Sequence, residues 1–376
     1  MVELIDESKF AAVMSAVVEP VLKSCSFEGW MNPAEHPGLE KLPAPEDSHD
    51  GKLHYVNYRY AVFAKEIKQF DAGYFLPSQA GIAQNRPDEA KATIVILHGF
   101  TRNAYVHREL AWYFLNAGYN ICCLEHRGHG LSPHDVGDEN VVWIDNWRRY
   151  VVDAALFCKT VARPFDDGKP LYLYGYSMGG GIGVALAEQY PHLLDKIVLA
   201  APMIEPSLSL GKVLSTIAVK VLCAFGQGRK ASPGQRKFPE ELDKSLYKGL
   251  SEPRAVYKFE LCKSDRRYHT CQASNEWVNQ AAGMTGHLLK KGACEQVITP
   301  ILLLQAGKDS YVLPKSQEKF IESVSQNGVS AQLSVFDDMR HEFEVSENEQ
   351  LRPWLERILD FYDTDFEKRR TNVGFR

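Results

Sequence analysis

Ser177 stands between glycines in a stretch that predicts a strand, a sharp turn and a helix. Residues 171–174 are apolar throughout, as in a buried strand, and Gly175 and Gly179 lie two positions to either side of the serine. Glycines let the strand and helix approach closely at a strained turn, so that the hydroxyl stands clear of the sheet edge. Apolar residues at helical spacing continue until Pro191. This is the pattern of a nucleophile elbow, and it predicts that Ser177 is a nucleophile.

A serine hydroxyl is a weak nucleophile, so the site also needs a base, a carboxylate that orients the base, and donors for an oxyanion. In folds with this elbow, the acid and then the histidine follow the serine along the chain, each after the end of a strand. Asp309 follows a predicted strand at residues 301–305, and His341 follows one at residues 332–336. We therefore predict that Ser177, Asp309 and His341 are the catalytic residues.

Other aspartates and histidines fit this arrangement less well. Asp195 lies in the turn that enters a strand, and Asp337 and Asp338 come shortly before His341 without a strand end of their own. Two histidines come before the serine and one lies in a segment outside the strand–helix alternation. These weaker candidates are Asp195, Asp337, Asp338, His126, His129 and His287.

The loop after the first inner strand predicts the oxyanion donors. Residues 93–97 are a buried strand, and His98, Gly99 and Phe100 follow its end, where the second donor of such sites lies. The predicted donors are the backbone N–H groups of Phe100 and Met178. Backbone donors need only the right position, so the side-chain types there carry no chemical demand. For His98 we expect a supporting role, in which it holds the loop by hydrogen bonds, rather than a role as base.

Strands and helical segments alternate in a way that predicts an α/β fold, with a mostly parallel central sheet flanked by helices. Residues 51–202 and 295–376 form the predicted core. Residues 203–294 break the rhythm and form a helical cap inserted between sheet strands. Residues 1–50 are expected to be a helix ended by Pro20 and then an irregular arm.

Composition excludes several classes of protein. The chain has 376 residues, 45% of them hydrophobic and 24% charged, which is ordinary for a soluble globular protein. A net charge of −5 provides no basic field for a nucleic-acid partner. The eight cysteines lack metal-ligand spacing, and we expect no metal or cofactor. The acidic N-terminus does not resemble a secretion signal, so we expect a cytoplasmic protein, with peripheral contact at the inner membrane left open.

Five motifs together resemble the α/β-hydrolase fold, specifically the lysophospholipase and monoacylglycerol lipase group of serine hydrolases. They occur in family order, and a further segment, residues 274–278, resembles the end of the cap in L2-type lysophospholipases. The motifs are residues 98–99, the Arg-Gly-His-Gly-Leu-Ser segment at 127–132, residues 175–180, residues 307–309 and residues 340–342. The glycine-rich 127–130 segment lacks the spacing and lysine of a phosphate-binding loop, so we interpret it as a tight turn.

The resemblance implies a serine-dependent carboxylic ester hydrolase that acts through an acyl-enzyme on lipids with one acyl chain. The loop after Gly99 departs from the Gly-Glu-His continuation of monoacylglycerol lipases, and the cap segment at 210–225 is unusually apolar. That stripe would line an acyl tunnel, touch a membrane or pack on the core. The alternatives are a short-chain esterase, a thioesterase or a serine aminopeptidase, and more remotely a non-catalytic binding protein with a damaged site.

Overall fold

The computed structural model describes residues 2–33, 51–63, 90–207, 212–243 and 247–365, without the side chains of 212–215. Eight strands in these residues form one sheet, and two short strands pair separately. The strands are β1 Ser26–Met31, β2 Leu53–Tyr58, β3 Thr93–Leu97, β4 Asn120–Leu124, β5 Val141–Val142, β6 Leu171–Tyr176, β7 Lys196–Ala200, β8 Gln272–Ala273, β9 Ile301–Ala306 and β10 Ala331–Phe336.

The sheet runs in the order β1-β2-β4-β3-β6-β7-β9-β10. The pairs β1–β2 and β2–β4 are antiparallel, and the strands from β4 to β10 are parallel. Central strands such as β3 and β6 are buried on both faces, which is why they appear as continuous apolar runs in the sequence. This mixed but mostly parallel sheet confirms the predicted fold class.

Helices cover both faces of the sheet and fill the segment between β7 and β9. They are α1 Phe10–Val13, α2 Glu19–Ser24, α3 Arg108–Asn116, α4 Arg148–Phe157, α5 Arg163–Phe165, α6 Met178–Gln189, α7 Lys212–Ala224, α8 Glu252–Lys263, α9 Asn275–Thr285, α10 Pro314–Gln326 and α11 Asn348–Asp363.

The N-terminal segment differs from its prediction in two ways. Pro20 does not end the helix, because a π-helical turn, Met14–Val18, leads into α2 and places the proline in the first turn of α2, where proline is tolerated. Trp30, expected in an irregular arm, belongs to β1 at the sheet edge. The rest of that arm, and a strand predicted at residues 73–76, lie outside the described residues.

The predicted cap segment, residues 203–294, connects two strands that are neighbours in the sheet. It leaves the sheet after β7 and returns at β9, and β7 and β9 pair in parallel. On the way, β8 pairs with β5 of the core, and the Ser274 hydroxyl accepts a hydrogen bond from the Trp277 N–H to cap α9. The start of α9 is therefore fixed against the core beside the loop after β4.

Candidate active site

The turn between β6 and α6 places Ser177 in a backbone conformation that few residues adopt. Its φ is 50° and its ψ is −113°, a positive φ for a residue with a side chain. The space around the turn explains both glycines. A Cβ on Gly179 would lie 2.0 Å from the carbonyl oxygen of Leu97, and one on Gly175 would lie 2.9 Å from the oxygen of Gly179. The backbone strain is typical of functional sites and matches the predicted elbow.

Three side chains from separate strand ends form a hydrogen-bonded chain. His341 Nε2 lies 2.8 Å from Ser177 Oγ, and His341 Nδ1 lies 2.7 Å from Asp309 Oδ2. A carboxylate can only accept hydrogen bonds, so the imidazole proton sits on Nδ1 and leaves Nε2 free to accept the serine proton. The structure thus brings together the three residues that the sequence predicted as catalytic, in the geometry that proton transfer from the serine requires.

The carboxylate of Asp309 is fixed by its own turn. Its second oxygen, Oδ1, accepts hydrogen bonds from the N–H groups of Tyr311 at 2.8 Å and Val312 at 3.1 Å. The side chain is buried, with 2% of its surface exposed. Asp338, one of the weaker candidates, is instead exposed and pairs with Lys308.

The loop after β3 is held by His98. The backbone N–H of His126 donates to His98 Nε2 at 3.0 Å, so the ring proton is on Nδ1, which donates to the oxygen of Gly99 at 2.8 Å. Burial, together with His126, holds the pKa of His98 well below its ordinary value, and the ring is therefore neutral. Both nitrogens are engaged, which fits a supporting role for His98 rather than a role as base.

Gly99 and Thr101 shape the same loop. A Cβ on Gly99 would meet the Tyr176 ring at 2.8 Å, and Thr101, a β-branched residue, has a φ of 63°. The same Cβ on Gly99 would lie 3.2 Å from Ser177 Cβ, so the loop that includes Phe100 passes close to Ser177 and to Met178, the first residue of α6. Among the described residues, neither the Phe100 N–H nor the Met178 N–H has a recorded backbone acceptor, as expected of donors reserved for a ligand.

The cap closes over the predicted oxyanion loop. The Phe100 ring packs on Trp277 of α9, with ring centroids 4.2 Å apart. Beside it lies an apolar cavity of about 10 Å³, which is too small for an acyl chain. Its lining residues are Ile144, Trp147, Tyr150, Met178, Met203, Trp277, Gln280, Ala281 and Met284.

The glycine-rich turn after β4 is structural, as its spacing indicated. Arg127 forms a buried, bidentate ion pair with Asp153 at 2.6 and 3.1 Å. Gly128 and Gly130 have φ values of 73° and 58°, which only glycine adopts readily. His129 of this turn contacts the ring of Phe100, so the turn supports the oxyanion loop from below.

Two charged groups beside His341 were not identified from the sequence. Glu342, the next residue, forms an ion pair with Arg102 of the oxyanion loop. Glu344 binds His107 Nδ1 at 2.9 Å and Lys258 at 3.2 Å. Burial disfavours its charge, but these two partners hold the pKa of Glu344 below its ordinary value. Pairs between segments this far apart leave no local pattern; the only available signal was the unusual arginine after Gly99.

Comparison with known proteins identifies the family. Residues 88–349 match the Hydrolase_4 family, described as serine aminopeptidase, S33. The chain belongs to this family. Lysophospholipase L2 of Escherichia coli K12 is 24% identical over 281 residues, which cover 72% of this chain and 80% of the relative. Monoacylglycerol lipase of Mycolicibacterium smegmatis is 26% identical over 264 residues, covering 68% of this chain and 83% of the relative.

The Hydrolase_4 assignment also agrees at the level of structure. A soluble variant of monoglyceride lipase from Saccharomyces cerevisiae, solved with a substrate analogue, superposes with a TM-score of 0.61 at 19% identity. The superposition covers 87% of this chain and 98% of that structure. The protein is thus a serine hydrolase with the α/β-hydrolase fold, as the sequence motifs implied, and it is similar to lysophospholipases and monoacylglycerol lipases.

The described residues offer neither a metal cluster nor a membrane span. Among them, no group of three or more His, Cys, Asp or Glu side chains could hold a metal ion. No helix in the same ranges is both long and apolar enough to cross a bilayer.

Proposed function

We propose that this protein hydrolyses carboxylic esters of lipids that carry a single acyl chain. The observation that carries the proposal is the chain of hydrogen bonds from Ser177 through His341 to Asp309. The relatives named lysophospholipase and monoacylglycerol lipase support the lipid class.

In the proposed reaction, His341 Nε2 takes the proton of Ser177 as Oγ bonds to the ester carbonyl carbon. The carbonyl oxygen becomes an oxyanion that accepts hydrogen bonds from the N–H groups of Phe100 and Met178, each contributing about 3 kcal/mol. The carbon–oxygen bond to the alcohol then breaks, and His341 gives its proton to the leaving alcohol. Water attacks the acyl-enzyme with His341 again as base, releasing the fatty acid and restoring Ser177. No step requires a metal or an organic cofactor.

The cap segment, residues 203–294, would have to move for an acyl chain to enter, because the cavity beside Met178 is too small to hold one. We propose that it works as a lid over a core made of residues 51–202 and 295–376. On α7, Ile217 and Val221 are exposed, as is Phe225 directly after the helix, so this face does not pack on the core. An exposed apolar face close to Lys220 suits peripheral contact with a membrane that holds the substrate.

An aminopeptidase activity, which the family description suggests, is less well supported. A peptide amine would need a carboxylate able to pair with it near the catalytic serine. The two carboxylates that follow His341 already have cationic partners: Glu342 pairs with Arg102, and Glu344 with Lys258. A short-chain esterase or thioesterase remains an outcome of the experiment below.

The proposal is tested by hydrolysis of p-nitrophenyl esters from acetate to palmitate, with the wild type, Ser177→Ala and a control, Ser323→Ala, which changes a partly exposed serine on α10. We expect a preference for medium or long chains, and loss of activity in Ser177→Ala alone. A preference for acetate would indicate a short-chain esterase. Activity that survives in Ser177→Ala would show that the nucleophile is another residue.

A further inference from the structure

An ion pair joins the two loops that flank the catalytic serine. Arg102 lies two residues after Phe100 in the oxyanion loop, and its guanidinium binds the carboxylate of Glu342, the residue after His341. The side chains remain 21% and 29% exposed to solvent. Beside Glu342, the pKa of Arg102 is raised despite its burial, and the guanidinium is always charged.

Two tyrosines complete a set of hydrogen-bond donors around this pair. The Tyr311 ring lies 5.0 Å from the His341 ring, centroid to centroid, and is 61% exposed, which is unusual for a large aromatic residue beside a buried catalytic group. Tyr247 is close enough to interact electrostatically with Arg102, Glu342 and Tyr311. Arg102 and Tyr311 thus lie on the side of the site that includes His341, the group that would hand a proton to the leaving alcohol.

We propose that Arg102, Tyr247 and Tyr311 form an anion subsite for the phosphate in the leaving group of a single-chain phospholipid. The inference rests on the proposed function and refines its substrate class. Without substrate, the Glu342 carboxylate occupies the place of the phosphate. When the lipid binds, the phosphate displaces Glu342 from the guanidinium.

Charge and geometry favour a phosphate over a neutral head group. The planar fork of arginine matches the paired oxygens of carboxylates and phosphates alike, so one anion can replace the other. Among the charged groups recorded around His341, Asp309 is already bound to the histidine, and Glu344 is balanced by His107 and Lys258. Arg102 is therefore a cation that can bind an incoming anion once Glu342 moves away.

The test compares kcat/KM for lysophosphatidylcholine with kcat/KM for a monoacylglycerol of the same chain length. Losing a charge-assisted bond to phosphate should lower this ratio about 10- to 100-fold in Arg102→Gln. Arg102→Lys, which keeps the charge but not the fork, should fall between Arg102→Gln and the wild type. Glu342→Gln removes the competing carboxylate and should raise the ratio. The two partners of the ion pair are therefore expected to act in opposite directions.

Opposite effects separate recognition of phosphate from a purely structural ion pair. If the pair only held the loops together, Arg102→Gln and Glu342→Gln would lower the rates on both lipids by the same factor, and this result would overturn the inference. Arg59→Gln is the matched control, because Arg59 is 25% exposed and pairs with Asp167. It lies near the N-terminal end of β4, whereas the site lies at the C-terminal ends of the strands. It should leave the ratio unchanged. Thermal unfolding of each variant checks that it is folded.

A free-anion site and a failure of the proposed function give different results. If inorganic phosphate competitively inhibits monoacylglycerol hydrolysis, and Arg102→Gln abolishes that inhibition without changing the ratio, the subsite binds free phosphate and the lipid assignment is wrong. If the wild type cleaves monoacylglycerol but Arg102→Gln does not change the ratio, the inference fails while the proposed function stands. If the wild type cleaves neither lipid, the proposed function itself fails.

Discussion

In the proposed mechanism, the orientation of one imidazole decides whether Ser177 can react. His341 can accept the serine proton only while its own proton is on Nδ1, and that tautomer is set by the hydrogen bond to Asp309 Oδ2. Asp309 is in turn held by two backbone N–H groups through its other oxygen. The proposed role of the Asp309 carboxylate is therefore to hold the imidazole in place and to fix its tautomer by accepting a hydrogen bond from Nδ1.

Asp309→Asn tests this role at nearly constant volume. An amide can present a donor to His341 Nδ1, which favours the wrong tautomer, so we expect kcat to fall by about 10⁴-fold with little change in folding. The measurement is single-turnover and steady-state hydrolysis of a p-nitrophenyl ester. Asp338→Asn, at an exposed aspartate paired with Lys308, is the control and should retain nearly full activity. Equal losses in both variants would contradict the assignment of Asp309.

At the scale of the element, the helix α6 has a buried acidic side chain, Glu188, near its C-terminal end. Glu188 is 5% exposed, and neither carboxylate oxygen has a partner among the described residues. Burial raises the pKa of Glu188 from 4.5 to about 8. The folded protein therefore holds a proton here that the unfolded chain releases at lower pH.

This proton makes stability depend on pH in a defined direction. A raised carboxyl pKa favours folding at low pH, and this contribution is lost as the pH rises from about 4.5 to about 8, by up to about 1.4 kcal/mol per pH unit. Glu188→Gln stays neutral and should gain stability over the wild type at about pH 8 but not at about pH 4, by denaturant unfolding. Glu318→Gln, on the exposed face of α10, is the control. A gain that does not depend on pH would disprove this account.

The exposed face of α7 gives a second prediction for an element. Val221 is 49% exposed on this face, and Val335 of β10 is 48% exposed at the sheet edge. If α7 contacts the membrane, Val221→Ser should lower the fraction bound to lipid vesicles severalfold in a sedimentation assay, because a buried apolar contact is lost. Val335→Ser removes a similar side chain elsewhere and should bind like the wild type. Equal binding by all three proteins would exclude this face.

A feature could be predicted from the sequence when it leaves a pattern within one segment of the chain. The α/β fold was predictable, because buried parallel strands and amphipathic helices each leave a pattern within one segment. Ser177, Asp309 and His341 were assigned from their positions after strands, since parallel strands bring their ends together. The contact of Arg102 with Glu342 has no such pattern, because neither residue is constrained by the period of an element. Trp30 of β1 was missed because an edge strand of mixed polarity resembles a loop.

At the scale of the whole molecule, a buried cation ties the cap to the core and to the N-terminal segment. Arg254 of α8 is fully buried, donates to Glu109 of α3 at 2.9 Å and to the oxygen of Ser346 at 3.0 Å, and lies 3.3 Å from Glu7. Three distant parts of the chain therefore share one charge network. The proposed lid movement would therefore have to leave this end of the cap in place.

Arg254→Met should show how strongly the network holds the molecule together. Removing the cation leaves Glu109 buried without its partner, and this costs about 3–5 kcal/mol in the free energy of unfolding. Burial already raises the pKa of Glu109, and losing Arg254 raises it further, so the loss should be larger at about pH 8 than at about pH 5. Denaturant unfolding measures both effects. Adding Glu109→Gln removes the orphaned charge and should recover part of the stability. If the double variant loses as much stability as the two single variants together, or more, the pair does not act as a unit.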